Sequence, residues 1–153
     1  MLVDGVHHIA VVSGDTDRLS RFYTEVFDAP PATTIEQQPG LKLSLIHIGE
    51  GRELNVFELD GNDQAESRAG MFARGRLDHF GLRAVSLDAF EEIRRRLIAH
   101  GAADEFVTDF GPVLSVFFVD PDGLEGEVLV DNPDGEPGVF HPPGTPAARY
   151  VST

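Results

Sequence analysis

The sequence predicts an α+β fold in which one βαβββ unit is used twice. Three observations predict it. Set against itself at an offset of 71 positions, the chain aligns without gaps: His8 falls on His79, Asp17 on Asp88, Val6 on Leu77, Ile9 on Phe80 and Val11 on Leu82. Each copy opens with an alternating run and continues into an amphipathic helix, and the apolar helix positions coincide too: Leu19 with Phe90, Phe22 with Ile93, Val26 with Leu97. Each helix is then followed by strand-like runs joined by turn residues. Self-similarity at a fixed offset marks a supersecondary unit used more than once. A chain of 153 residues is one domain's worth and can bury a core without staples.

The first strand is read over Val6–Val12, where side chains alternate between faces. Ile9 and Val11 share one face; His8, Ala10 and Val12 share the other. In the second copy Phe80, Leu82 and Ala84 oppose His79, Gly81 and Arg83. The apolar faces are expected to receive the helices. Asp15, Thr16 and Asp17 offer a cap for the first helix, and Pro30 and Pro31 stop it. Ser86 or Asp88 caps the second, and Gly101 stands as its C-terminal glycine. Leu19, Phe22, Val26, Phe90, Ile93 and Leu97 are expected to be buried against the sheet.

Later strands are read over Leu41–Ile48, Glu53–Leu59, Val113–Val119 and Glu125–Val130, with shorter candidates at Ala32–Thr34 and Phe106–Thr108. Gly49-Glu50-Gly51 and Asp120-Pro121-Asp122-Gly123 supply the turns. The organisation is therefore a first unit over 1–60, a linker over 61–75, a second unit over 76–131 and an irregular tail over 132–153, all within one domain.

Composition excludes several function classes. There is no cysteine, hence no disulfide framework, thiolate metal site or cysteine nucleophile. The formal net charge of −14 repels phosphate backbones and anionic lipids, so neither nucleic acid nor membrane is an expected partner. Met1 to Val12 shows no basic region followed by an apolar stretch, and the expected location is the cytoplasm.

Chemistry is sought at the repeat. A single strand histidine is more often a packed or surface residue than a ligand. His8 and His79 are equivalent by the repeat, and both lie opposite the helix-packing face, which makes them candidate ligands. Imidazole nitrogens with carboxylate oxygens suit iron, manganese, nickel, cobalt or zinc. The carboxylate is sought in the run Glu125-Gly126-Glu127-Val128. Glu125 reads as a solvated edge charge. Glu127 is followed by the apolar Val128-Leu129-Val130, which favours a strand within the sheet and a specific role.

The opening His8-Ile9-Ala10-Val11 with Phe22-Tyr23 on the first helix, the second opening Leu77-Asp78-His79-Phe80-Gly81-Leu82, and the ending Asp120-Pro121-Asp122-Gly123 followed by Glu127 resemble the vicinal oxygen chelate superfamily. This group is also called the glyoxalase, bleomycin resistance and extradiol dioxygenase group. The resemblance covers about Val6 to Val130. It implies paired βαβββ modules whose curved mixed sheet forms a cup around one divalent metal, with His8, His79 and Glu127 as ligands. Glyoxalase-type and epimerase-type members add a fourth ligand, Glu or Gln, from the last strand of the first module. Here hairpin alignment puts Asn55 in that position, and asparagine is a poor ligand for a catalytic transition metal.

Three functions follow from the resemblance. The favoured one is a metal-dependent lyase or isomerase acting on a small substrate with vicinal oxygens, with His47, Glu53 and Glu58 as candidate bases. The alternative is an iron(II) extradiol-type dioxygenase, in which a histidine near His47 acts as acid–base group. Those members also carry a tyrosine on the hairpin before the carboxylate, where this chain has Val116-Phe117-Phe118. The second alternative is a small-molecule binding protein of the bleomycin resistance kind. The expected partner is a small molecule, and the sequence admits a homodimer.

Overall fold

A computed structural model describes residues 1–2, 5–63, 65 and 77–135 of the chain. It divides into two compact units, residues 1–76 with 121–123 and residues 77–120 with 124–153. The first unit holds β1 (His8–Val12), α1 (Thr16–Phe27), β2 (Thr33–Gln38), β3 (Leu41–Gly49) and β4 (Arg52–Leu59). The second holds β5 (His79–Arg83), α2 (Leu87–Ala99), β6 (Thr108–Asp109), β7 (Val113–Val119) and β8 (Glu125–Asp131). Each is a four-stranded mixed sheet with one helix, in the orders β1-β4-β3-β2 and β5-β8-β7-β6. The first strand of each unit runs parallel to the last, and the other pairs are antiparallel. The fold class read from the sequence is therefore the observed one.

The helices form where caps and periodicity place them. Asp15 accepts a hydrogen bond from the Arg18 backbone N–H at the start of α1, and Ser86 does the same for Ala89 at the start of α2. The first helix ends at Asp28, which takes a left-handed conformation (φ 55°) before the prolines are reached. Gly101 follows α2 with φ 66°, which costs a glycine little.

Burial follows the predicted stripes with one correction. Leu19, Phe22, Val26, Phe90 and Leu97 are buried, whereas Ile93 is only half-buried. The first helix packs on both β3 and β4, but α2 meets its sheet mainly along β8. Its contact stripe is narrower, and Ile93 sits on the margin. Tyr23 is fully buried in the first unit, stacked on Phe27 with ring centroids 5.5 Å apart.

The first strand opens at His8 rather than Val6, the long strands β3, β4 and β8 shift by one residue at an end, and two short strands differ more. The second strand extends to Gln38, and all six of its residues are exposed. Its residues Glu36-Gln37-Gln38 carry no apolar alternation, because an exposed edge strand has no core face to satisfy. The strand expected at Phe106–Thr108 is the two-residue β6. Most of the sequence-defined linker and the tail beyond residue 135 lie outside the described residues.

The sheet face toward α2 depends on a missing side chain. Gly126 pairs with Phe80 on β5 and with Phe118 on β7. The two rings meet edge to face over it, centroids 6.1 Å apart. A Cβ at Gly126 would lie 2.2 Å from the Phe118 ring, so glycine is required there.

Candidate metal and substrate site

In the second unit, Val128 and Val130 are buried on the helix side of β8, which turns Glu127 and Leu129 to the opposite face. The parallel register pairs His79 with Glu125 and Gly81 with Glu127, so His79 and Glu127 share that face one step apart. A Cβ on Gly81 would lie 2.9 Å from Leu129 Cδ1 and 4.0 Å from Glu127 Oε2. The glycine thus leaves the space beside the carboxylate open.

Both side chains are held from behind. Asp78 Oδ2 lies 2.8 Å from His79 Nδ1. Ser115 Oγ donates to Glu127 Oε1 at 2.6 Å, in a buried hydrogen bond. The Phe117 ring, opposite Glu127 on β7, stands edge to face against His79 with centroids 6.1 Å apart. The inner atoms, His79 Nε2 and Glu127 Oε2, are 3.7 Å apart, too far for a hydrogen bond. In the neutral ring with its proton on Nδ1, where Asp78 accepts, Nε2 would present a lone pair toward a carboxylate oxygen. Two electron-pair donors at that spacing fit one cation between them, since ligand bonds to such ions run about 2.0–2.2 Å.

The first unit repeats the layout with different chemistry. His8 pairs with Glu53 and Glu53 with His47, so the three lie side by side across β1, β4 and β3. His47 Nδ1 is 3.5 Å from Glu53 Oε1, an ion-pair distance when the ring is protonated. One step along, Ala10 pairs with Asn55 as Gly81 pairs with Glu127, which makes Asn55 the counterpart of Glu127. Where Ser115 supports the carboxylate in the second unit, Leu43 holds the matching place here. Asn55 Oδ1 is buried without a hydrogen-bond partner. His8 is exposed, with its Nδ1 3.0 Å from Nδ1 of His7.

Glu58 sits elsewhere. It faces α1, where its Oε2 accepts from both the backbone N–H and the Oγ1 hydroxyl of Thr16, each at 2.8 Å. Its Oε1 accepts from Lys42 Nζ at 2.9 Å. The Thr16 backbone donor, then Lys42, hold its pKa below the ordinary carboxylate value. A lowered pKa means stability that is present above the ordinary value and lost as pH falls through the folded one. Glu58→Gln is accordingly expected to cost about 1–2 kcal/mol at pH 7. In urea titrations the gap to the parent should narrow as pH falls below the ordinary carboxylate value and the parent carboxylate is neutralised. A gap unchanged with pH would mean that charge is not what Glu58 supplies.

The structure thus brings His79 and Glu127 together in one unit, and His8, Glu53 and His47 into one row in the other. Among the described residues no group of three or more His, Asp or Glu has the geometry to hold a metal ion. Sequence reasoning missed His7, Asp78, Gly81 and Ser115. Position alone signalled the first two, since each directly precedes a candidate histidine. Ser115 showed only as a lone hydroxyl in the apolar run Val113–Val119.

A family profile described as the Glyoxalase/Bleomycin resistance protein/Dioxygenase superfamily matches residues 5–128. Solved structures share the fold. A glyoxylase/bleomycin resistance protein/dioxygenase domain from Frankia sp. EAN1pec is 22% identical, with a TM-score of 0.69 over 85% of this chain and 93% of that one. A lactoylglutathione lyase from Agrobacterium tumefaciens is 23% identical, with a TM-score of 0.58 over 85% and 96%. The fosfomycin resistance protein FosX from Listeria monocytogenes is 19% identical, with a TM-score of 0.61 over 86% and 94%. No curated protein sequence matches at a significant level. Among the described residues no helix is long and apolar enough to cross a membrane.

Proposed function

The chain belongs to the glyoxalase, bleomycin resistance protein and dioxygenase superfamily, and from that premise we propose that it is a divalent-metal-dependent lyase or isomerase acting on a small substrate with vicinal oxygens. His8, His79 and Glu127 would hold the ion; iron, manganese, nickel, cobalt and zinc all suit this donor set. One observation carries the reading: His79 Nε2 and Glu127 Oε2 face each other at 3.7 Å while their outer atoms are engaged by Asp78 and Ser115. When bound, the ion supplies a Lewis acid that chelates two neighbouring substrate oxygens and stabilises charge developing on them.

The chain's own groups then supply the proton transfer. Glu53 beside His47 Nδ1 orients the ring, so that Nε2 takes a proton from the substrate carbon and returns it to the neighbouring one. Glu53 is the second candidate base. Glu58 is assigned to the start of α1, because Thr16 engages its Oε2 there while Lys42 of β3 engages its Oε1. Phe57, Leu43 and Leu45 share the face with Asn55 and give the substrate's carbon skeleton an apolar bed.

A second reading, the iron(II) dioxygenase, is favoured by Asn55. An amide in the place of Glu127's counterpart leaves three strong ligands and open positions for substrate and oxygen. One experiment separates the two. The metal-loaded protein is incubated in deuterium oxide with a panel of 2-hydroxycarbonyl compounds. In parallel, anaerobic iron(II)-loaded protein receives catechols and then oxygen. The lyase or isomerase reading expects metal-dependent deuterium incorporation, at least about 100-fold slower in His47→Ala. Oxygen uptake with a yellow ring-cleavage product, lost in His47→Ala, would replace it by the dioxygenase.

A further inference from the structure

The two units share a feature that lies outside the ligand set. In the second, the residue preceding His79 engages its Nδ1: Asp78 Oδ2 at 2.8 Å. In the first, the residue preceding His8 engages the same atom: His7 Nδ1 at 3.0 Å, the rings edge to face at 5.3 Å. The offset of 71 that superposes His8 on His79 also superposes His7 on Asp78. The chemical types differ, yet both groups can accept a hydrogen bond from Nδ1–H, the carboxylate through an oxygen and His7 through the bare nitrogen of one tautomer.

We propose that His7 and Asp78 are positioning residues, each accepting a hydrogen bond from Nδ1–H of the histidine that follows and so presenting that histidine's Nε2 lone pair to the ion. The inference rests on His8 and His79 being ligands. Its physical basis is the neutral imidazole, which carries one proton and can place it on either nitrogen. A ring protonated on Nε2 cannot ligate through that atom, so a partner on Nδ1 selects the competent form and fixes the ring's direction. The asymmetry of the pair has a consequence. A carboxylate can only accept, so Asp78 enforces its tautomer. His7 can also donate, so the first unit is selected less strictly, and His8 is the weaker-held ligand.

The test uses the full chain. Nitrogen-15 spectra of the metal-free protein at alkaline pH report which ring nitrogen carries the proton, and calorimetric titration with zinc(II) reports affinity. His79 is expected as the Nδ1–H tautomer and His8 as a mixture weighted to it. Asp78→Ala and His7→Ala should each lower zinc affinity about 10- to 100-fold, with the larger loss for Asp78→Ala. The melting temperature of the metal-free variants should not change. His7→Asp, which copies the second unit's device into the first, should restore parental affinity or better and drive His8 wholly to Nδ1–H. Parental affinity and unchanged tautomers in Asp78→Ala and His7→Ala, while His8→Ala and His79→Ala lose zinc, would overturn the inference and leave the ligand assignment standing. Undiminished zinc binding in His8→Ala and His79→Ala would remove the ligand assignment and this inference with it.

Discussion

His79→Ala and Glu127→Ala are each expected to lower the affinity for one divalent ion per chain by more than about 100-fold, beyond the loss expected for a supporting residue. The two residues differ in what their removal leaves behind. Without Glu127, Ser115 loses its acceptor, and under the proposed ligand set only neutral donors would face a divalent charge. Without His79, the buried Glu127 carboxylate keeps its serine donor but loses the nitrogen 3.7 Å away. His8→Ala should follow the same course if the first unit contributes its ligand. Asn55→Ala is expected to change affinity by less than about tenfold, since an amide oxygen is a weak ligand for these ions. Calorimetric titration of metal-free protein decides it. Full binding in both His79→Ala and Glu127→Ala would place the ion elsewhere, and equal loss in Asn55→Ala would show that the amide coordinates.

Phe90→Ala is expected to cost about 3–5 kcal/mol of folding stability, the range for deleting a buried aromatic side chain. Phe90 is fully inaccessible and Phe22, its neighbour in role on α1, is 5% exposed, so both rings leave cavities that water cannot usefully fill. The second unit should suffer more. Phe22 is flanked by Tyr23 and Phe27, which can lean into the gap. Phe90 and Leu97 are the only buried residues of α2. Ile93→Ala should cost clearly less than Phe90→Ala because its ring of contacts is incomplete. Urea titration followed by circular dichroism measures all three, and a Phe90→Ala variant within a few tenths of a kcal/mol of the parent would mean that α2 packs through another face.

The repeat, the helices and the long strands were legible because each is written in local period. Leu19, Phe22 and Val26 recur at helical spacing, Val6–Val12 alternates, and Asp15 and Ser86 cap by their own short side chains. The face shared by His8, Ala10 and Val12 also follows from alternation alone. Ile93 and the extent of β2 were not legible, because burial of a marginal position depends on how wide a sheet the helix meets, and an edge strand needs no apolar pattern.

By itself, then, the sequence determined the βαβββ repeat, the two histidines in matching register and the strand that carries Glu127. Only the tertiary structure decided how those groups are held. Ser115 reaches Glu127 from twelve residues away because β7 and β8 pair in a particular register, and a shift by one residue would turn the serine to the other face. In the first unit the pairing of β4 with β1 and β3 sets Asn55 in Glu127's counterpart position and leaves Leu43 where a hydroxyl would be needed. Glu58, a candidate base for the lyase or isomerase reading, supports the start of α1 because the strand's pleat points it at Thr16. Periodicity gives the face a side chain takes; the neighbour it meets there depends on strand register, which is fixed by contacts far apart in the chain.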